Sequence, residues 1–307
     1  MRLVGPGGEP IGLWRTLSSQ GLTELPPMAL DEQRRSMTVT LALPRGRPRT
    51  VEISAGQPGH LRMTVRGRTP GKAAQLRLRQ TVRRMLRLDE DLSDFYALVA
   101  EDPDLSWVSR GAGRLVRSPT VFEDVIKTIC TTNCAWSATR RMIGALCEYL
   151  GEAAAGAPRQ GPAGRAFPTA EAMAEADDSF YRDVARAGYR GAYLRAVAQR
   201  VASGEMDLER LGDATPDELP DDDVADHLLS LPGVGPYASA HIMLLLGRTS
   251  RLIFDSWTRP KYAHLIGKKK VSDKVIERRF RKYGRYSGLA FWMFLTREWV
   301  EEETGLA

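Results

Sequence analysis

One stretch constrains the fold of this chain more than any other: LLSLPGVGPYASAHIMLLLGRTSRLIFD, residues 228–255. It reads as the end of a helix, a tight turn at Leu231-Pro232-Gly233-Val234-Gly235, a second apolar helix, and a carboxylate at Asp255. The two glycines allow positive φ and leave no side chain between the backbone and a close neighbour. Pro236 suits a first helical turn, where an absent N–H is not missed. Such a helix start presents free N–H groups at the positive end of the helix dipole, which suits a phosphate. Taken alone, the turn is an ordinary helix–loop–helix connection. The rest of the chain changes that reading.

A length of 307 residues is enough for two domains with a sizeable core. The net charge of +6 favours an anionic partner such as nucleic acid, within a composition ordinary for a globular protein. No run approaches the roughly 20 apolar residues of a membrane span. The start, MRLVGPGGEPIGLW, lacks the apolar core of a secretory signal, so a cytoplasmic protein with no membrane partner is expected. Three cysteines, Cys130, Cys134 and Cys147, share one helical segment and are expected to be reduced thiols. The histidines His60, His227, His241 and His264 have no metal-ligand spacing, so no metal and no iron–sulfur cluster is expected. His241 lies on a strongly apolar helix and is expected to be packed.

Residues 1–75 are rich in turn formers and β-formers. MTVTLAL (37–43), RTVEIS (49–54) and HLRMTVRG (60–67) follow the alternation of half-buried strands, which predicts a small antiparallel sheet domain. From position 76 the texture is helical. Phe122, Val125, Ile126, Ile129 and Cys130 recur at three- and four-residue spacing, as do Met142, Ile143, Leu146, Cys147 and Leu150. Between these runs TTNCAWSATRR places Asn133 at the tip of a helix–kink–helix. Residues 152–169 are a Gly/Ala/Pro-rich loop, and Asp221, Asp222 and Asp223 start a helix where negative charge is favourable. The expected fold is α+β and predominantly helical: a sheet domain over 1–75 and a helical region over 76–307, with the helix-hairpin-helix at about 222–247.

LPGVGPY, an apolar helix and then Asp255 resemble the helix-hairpin-helix DNA glycosylase superfamily, and the spacing from Tyr237 to Asp255 is similar to the family's. Three segments resemble its branch of alkylbase (3-methyladenine) and 8-oxoguanine glycosylases. FEDVIKTICTTNCAWSATRRM is similar to the helix–kink–helix whose Asn-bearing tip enters the duplex, and Asn133 matches that Asn. GYRGAYLRA is similar to the oxoguanine enzymes' motif of a wedge and an arginine reading the orphaned base, matched by Tyr189 and Arg190. YGRYSGLAFW is similar to the C-terminal helix that carries base-pocket residues. There are two departures. Bifunctional members carry an amine nucleophile where Tyr237 stands, and oxoguanine enzymes carry a base-reading Gln where Phe291 stands. The four-cysteine cluster of the endonuclease III branch is absent from the sequence.

The resemblance implies a monofunctional base-excision enzyme acting, as a nucleoid-associated monomer, on double-stranded DNA containing a damaged base, most simply an alkylated purine. A base inside the stack must first be flipped out. Asp255 would be catalytic. Tyr237, Trp257, Phe291 and Trp292 would line the base pocket. Asn133, Tyr189, Arg190, Leu231, Gly233, Val234, Gly235, Lys268 and Lys269 would contact DNA, with a monovalent cation allowed at the hairpin and no other cofactor. Three alternatives stand beside this reading: an oxidised-purine glycosylase, a T/U-mismatch glycosylase, and a non-catalytic helix-hairpin-helix clamp.

Overall fold

The computed structural model describes residues 1–299; the last residues of the predicted helical region, 300–307, lie outside the described residues. Four strands form an antiparallel meander in the order β1 (Met28–Asp31), β2 (Ser36–Leu41), β3 (Arg49–Ala55), β4 (Leu61–Val65). The expected three strands are present, and β1 is an additional edge strand. Its four residues carry too short an alternation to stand out in the sequence. Register aligns Met28, Val39, Val51 and Val65 in one row and Met37, Ile53 and Met63 in the next.

The inner face of this sheet is covered by α1 (Leu13–Leu17) and α2 (Lys72–Met85). Leu78, Val82 and Met85 recur at i, i+4 and i+7 and are buried against the strands. The sheet's packing unit therefore runs past residue 75 to Leu88, because an isolated sheet has no other way to bury its apolar face.

Two further cores make up the helical body. The first gathers α4 (Val121–Thr131), α5 (Trp136–Ala145), α6 (Ala170–Glu175), α7 (Arg190–Ala202), α8 (Glu209–Asp213) and α9 (Asp221–Leu229). The second gathers α3 (Ser93–Val99), α11 (Thr258–Leu265), α12 (Asp273–Phe280) and α13 (Ser287–Leu295). Between them stands α10 (Pro236–Leu246), every residue of which from Ala238 onward is buried. Ile242, Met243 and Leu245 face the first core, and Ala240 and Leu244 the second. A helix apolar on all sides is stable only when surrounded, and this one is the shared wall of the body.

Local chemistry fixes the ends of these helices. Thr120 caps α4 by accepting from Glu123 N, and Glu209 accepts from the N–H groups of Val121 and Phe122. Pro236 opens α10, and Gly247 closes it at φ 88°. The aspartates opening α9 do more than oppose a dipole. Asp221 pairs with Arg248 at 3.1 Å and Asp222 with Arg251 at 2.7 Å, closing the open ends of the α9–α10 pair.

Candidate active site and nucleic-acid interface

The hairpin has the expected shape. Gly233 adopts φ +82°, and a Cβ there would sit 2.7 Å from Tyr193 Cδ2, so both the angle and the space demand glycine. Leu231 and Val234 are buried in the first helical core. Their side chains therefore anchor the turn from beneath, and only backbone is left to face a phosphate. Among the described residues no backbone carbonyl accepts from the N–H of Gly233, Gly235 or Tyr237, so these donors remain available.

Asp255 lies immediately before α11, half-buried. Its Oδ1 accepts from the backbone N–H of Trp257 at 2.9 Å and of Thr258 at 2.6 Å, and Thr258 Oγ1 accepts from Asp255 N. These three bonds fix the carboxylate and leave Oδ2 uncommitted among the described residues. Tyr237 and His241, one turn apart on α10, feel the Asp255 charge. Burial first, then that charge, holds the Tyr237 hydroxyl above its ordinary pKa, against a lowering hydrogen bond with Thr131. Burial pulls His241 down to about 4 despite Asp255, so its imidazole is neutral near pH 7.

Aromatic rings complete the site. His241 stacks on Trp292 at 6.2 Å and 26°, Trp257 packs against Trp292 at 5.8 Å, and Trp299 joins both at 6.2 and 6.4 Å. Trp292 is held from across the molecule, its Nε1 donating to the Ser19 carbonyl at 2.9 Å. Of these rings Trp257 is 39% exposed while His241 and Trp292 are buried, and an exposed π-face attracts a flat cationic ring.

A second group of residues lines the face beyond the hairpin. The kink between α4 and α5 puts Asn133 at its exposed tip with φ +46°, a conformation Asn tolerates better than most residues. Tyr189 is 55% exposed at the start of α7 and meets Tyr193 edge-on at 5.8 Å; Tyr193 in turn lies over Gly233. Asn133, Tyr189 and the hairpin are thus joined through α7 into one surface.

The chain is 30% identical over 265 residues to the "Probable N-glycosylase/DNA lyase" of Methanothermobacter thermautotrophicus, covering 80% of each chain. The chain belongs to the helix-hairpin-helix DNA glycosylase superfamily. It is also 25% identical over 256 residues to the "N-glycosylase/DNA lyase" of Saccharomyces cerevisiae, spanning 72% of this chain and 66% of the relative. In fold it matches the 3-methyladenine DNA-glycosylase of Archaeoglobus fulgidus, with a TM-score of 0.71, 18% identity, and 97% and 98% of the two chains covered. The 8-oxoguanine glycosylase/lyase of Clostridium acetobutylicum in its apo form follows at a TM-score of 0.67 and 21% identity, over 90% and 93%. No family model matches the chain.

Membership in this superfamily does not carry over every residue. Phe291 is 1% exposed and packs against Phe254, Tyr262 and Phe280 inside the second core, turned to rings other than those of Tyr237, His241 and Trp257. On α13 it sits one residue from Trp292 and therefore about 100° away around the axis. Arg190 is buried and donates to the carbonyls of Thr132 and Asn133, which corrects its expected aim at an orphaned base. Lys268 and Lys269 are exposed in the loop after α11, at the far end from Asp255, and no contact among the described residues ties them to the hairpin. Conversely, sequence reasoning passed over His241 and Tyr193 as site residues. Each lies four residues after a named site residue on the same helix, a spacing that places both on one face. Among the described residues there is no group of His, Cys, Asp and Glu fit to hold a metal, and no helix long and apolar enough to cross a membrane.

Proposed function

We propose that this protein is a monofunctional DNA glycosylase that hydrolyses the N-glycosidic bond of an alkylated purine flipped out of double-stranded DNA, working as a monomer. The observation that carries this reading is the gathering of the Tyr237, His241, Trp257 and Trp292 rings around Asp255, whose charge Tyr237 and His241 both feel. A flipped base would enter between the rings, and an alkylated purine, already cationic, gains most from π-faces. As the C1′–N bond lengthens, its electrons leave with the base and positive charge grows on the sugar. Asp255 Oδ2 would stabilise that charge and take a proton from the water whose oxygen bonds to C1′.

Strand cleavage would need an amine to form a Schiff base with the sugar. Position 237 supplies a phenol held in its neutral form, so release of the base would end the reaction. The hairpin N–H groups would hold a backbone phosphate. Among the described residues no backbone N–H donates to the carbonyls of Pro232, Gly233 or Val234, so these would hold a monovalent cation that helps neutralise the phosphate. No other cofactor enters the reaction.

A second reading is excision of oxidised purines with lyase activity; both sequence relatives are named N-glycosylase/DNA lyase, which favours its lyase part. A panel of duplexes separates the two. With 3-methyladenine, 7-methylguanine, 8-oxoguanine, hypoxanthine, uracil and mispaired thymine offered in turn, the alkylated purines should be released fastest. Preferential release of 8-oxoguanine would establish the second reading instead.

A further inference from the structure

The kink carrying Asn133 is unusually well tied for a protruding turn. Thr131 Oγ1 donates to Thr128 O at 2.7 Å, Thr132 Oγ1 to Ile129 O at 2.7 Å, and Thr139 Oγ1 to Cys130 O at 2.9 Å. The two carbonyls at the tip itself, those of Thr132 and Asn133, go to one side chain. Arg190 Nε donates to Thr132 O at 2.9 Å, and its Nη2 donates to the same oxygen and to Asn133 O at 3.0 Å. The guanidinium is covered by the Tyr189 ring at 4.5 Å, and the residue is only 7% exposed. The other arginines beside the tip are engaged as well: Arg140 with Glu24, and Arg141 with the Arg186 carbonyl.

We infer that Arg190 is a positioning residue that holds the Asn133 turn ready for insertion into the duplex, and that the enzyme does not discriminate the base opposite the lesion. The inference rests on the glycosylase reading above. Reading a base edge takes an oriented donor set, and Arg190 has turned its fork inward. Leaving those carbonyls would strand two acceptors and release a residue from its left-handed conformation. The group left facing outward is the Asn133 carboxamide, with both donors and an acceptor, which finds a partner on the edge of any of the four bases. A turn ordered in advance also loses little freedom on entering DNA, so its fixation strengthens binding to every duplex alike.

Binding to duplexes with a stable abasic-site analogue opposite A, C, G or T needs no turnover and tests this directly. Wild-type affinities should agree within about threefold across the four partners, and Arg190→Met should weaken all four by about tenfold or more. The loss should be much smaller on a bubble in which the site is already unpaired, and Arg190→Lys, which keeps a charged donor group without the fork, should recover part of it. A strong preference for one partner base, or a loss in Arg190→Met confined to one partner, would make Arg190 a reader and overturn the inference. An equal loss on duplex and bubble would reduce Arg190 to a folding residue and overturn it as well. Failure to bind any abasic duplex would instead remove the glycosylase reading, and this inference with it.

Discussion

At the level of single residues, the site combines a fixed carboxylate with two neighbours kept uncharged. His241 is the neighbour with the most accessible signature. Its folded pKa of about 4 lies below the ordinary 6.5, so between these values the unfolded chain binds the proton and the native one does not. Its contribution is complete above pH 6.5 and is lost as pH falls toward 4, at about 1.4 kcal/mol per unit. His241→Phe should therefore lose less stability than wild type on acidification, and denaturant unfolding at pH 7 and pH 4.5 reads the difference. Equal slopes for the two proteins would show that His241 is not held neutral. That Asp255 and Tyr237 come near one another was legible in the sequence, because motif and spacing coincide there. Phe291 was not placed correctly, because two adjacent residues on one apolar helix face different neighbours and composition does not say which.

At the level of elements, the hairpin offers its backbone to a ligand, and its buried side chains serve to fix it. Gly233→Ala would place a Cβ against Tyr193 and force an L-residue to φ +82°, a strain of about 1–2 kcal/mol before any clash. The variant should unfold at lower temperature and bind abasic duplex more weakly. Thermal melting and a titration check both, and unchanged affinity would remove the phosphate-clamp role. The pattern of α4 shows where sequence reading runs out. Its apolar stripe was plain, yet Glu123, Asp124 and Lys127 on the remaining faces are buried too. Glu123 and Lys127 meet at 2.7 Å, and a chain of this length can surround a helix on every side. Periodicity reports one apolar face and is silent on polar residues buried in pairs. The same limit applied to Arg190, whose pairing with Thr132 and Asn133 joins α7 to the kink across 58 and 57 positions.

Across the whole molecule, the sheet domain is built into the site. Ser19 holds Trp292, Gln20 Nε2 donates to Val116 O at 2.8 Å, and Arg114 pairs with Glu9 at 2.5 Å in full burial. The sequence showed the sheet but not this docking, since contacts spanning 96 to 273 positions leave no local pattern. Arg114→Met should strand the Glu9 carboxylate and cost about 3–5 kcal/mol. Adding Glu9→Gln should recover part of that loss, and denaturant midpoints of the single and double variants measure it. No recovery would mean that the pair does not join the two parts as described.

The central claim, base removal by Asp255 at a site without an amine nucleophile, is tested most directly in one reaction series. A duplex carrying an alkylated purine is incubated with wild type and with Asp255→Asn, then resolved with and without hot alkali and with borohydride present. Wild type should release the base, break the strand only after alkali and leave no trapped covalent adduct. Asp255→Asn should lose about 10²–10³-fold or more in rate. A borohydride-trapped adduct, or undiminished release by Asp255→Asn, would contradict the account.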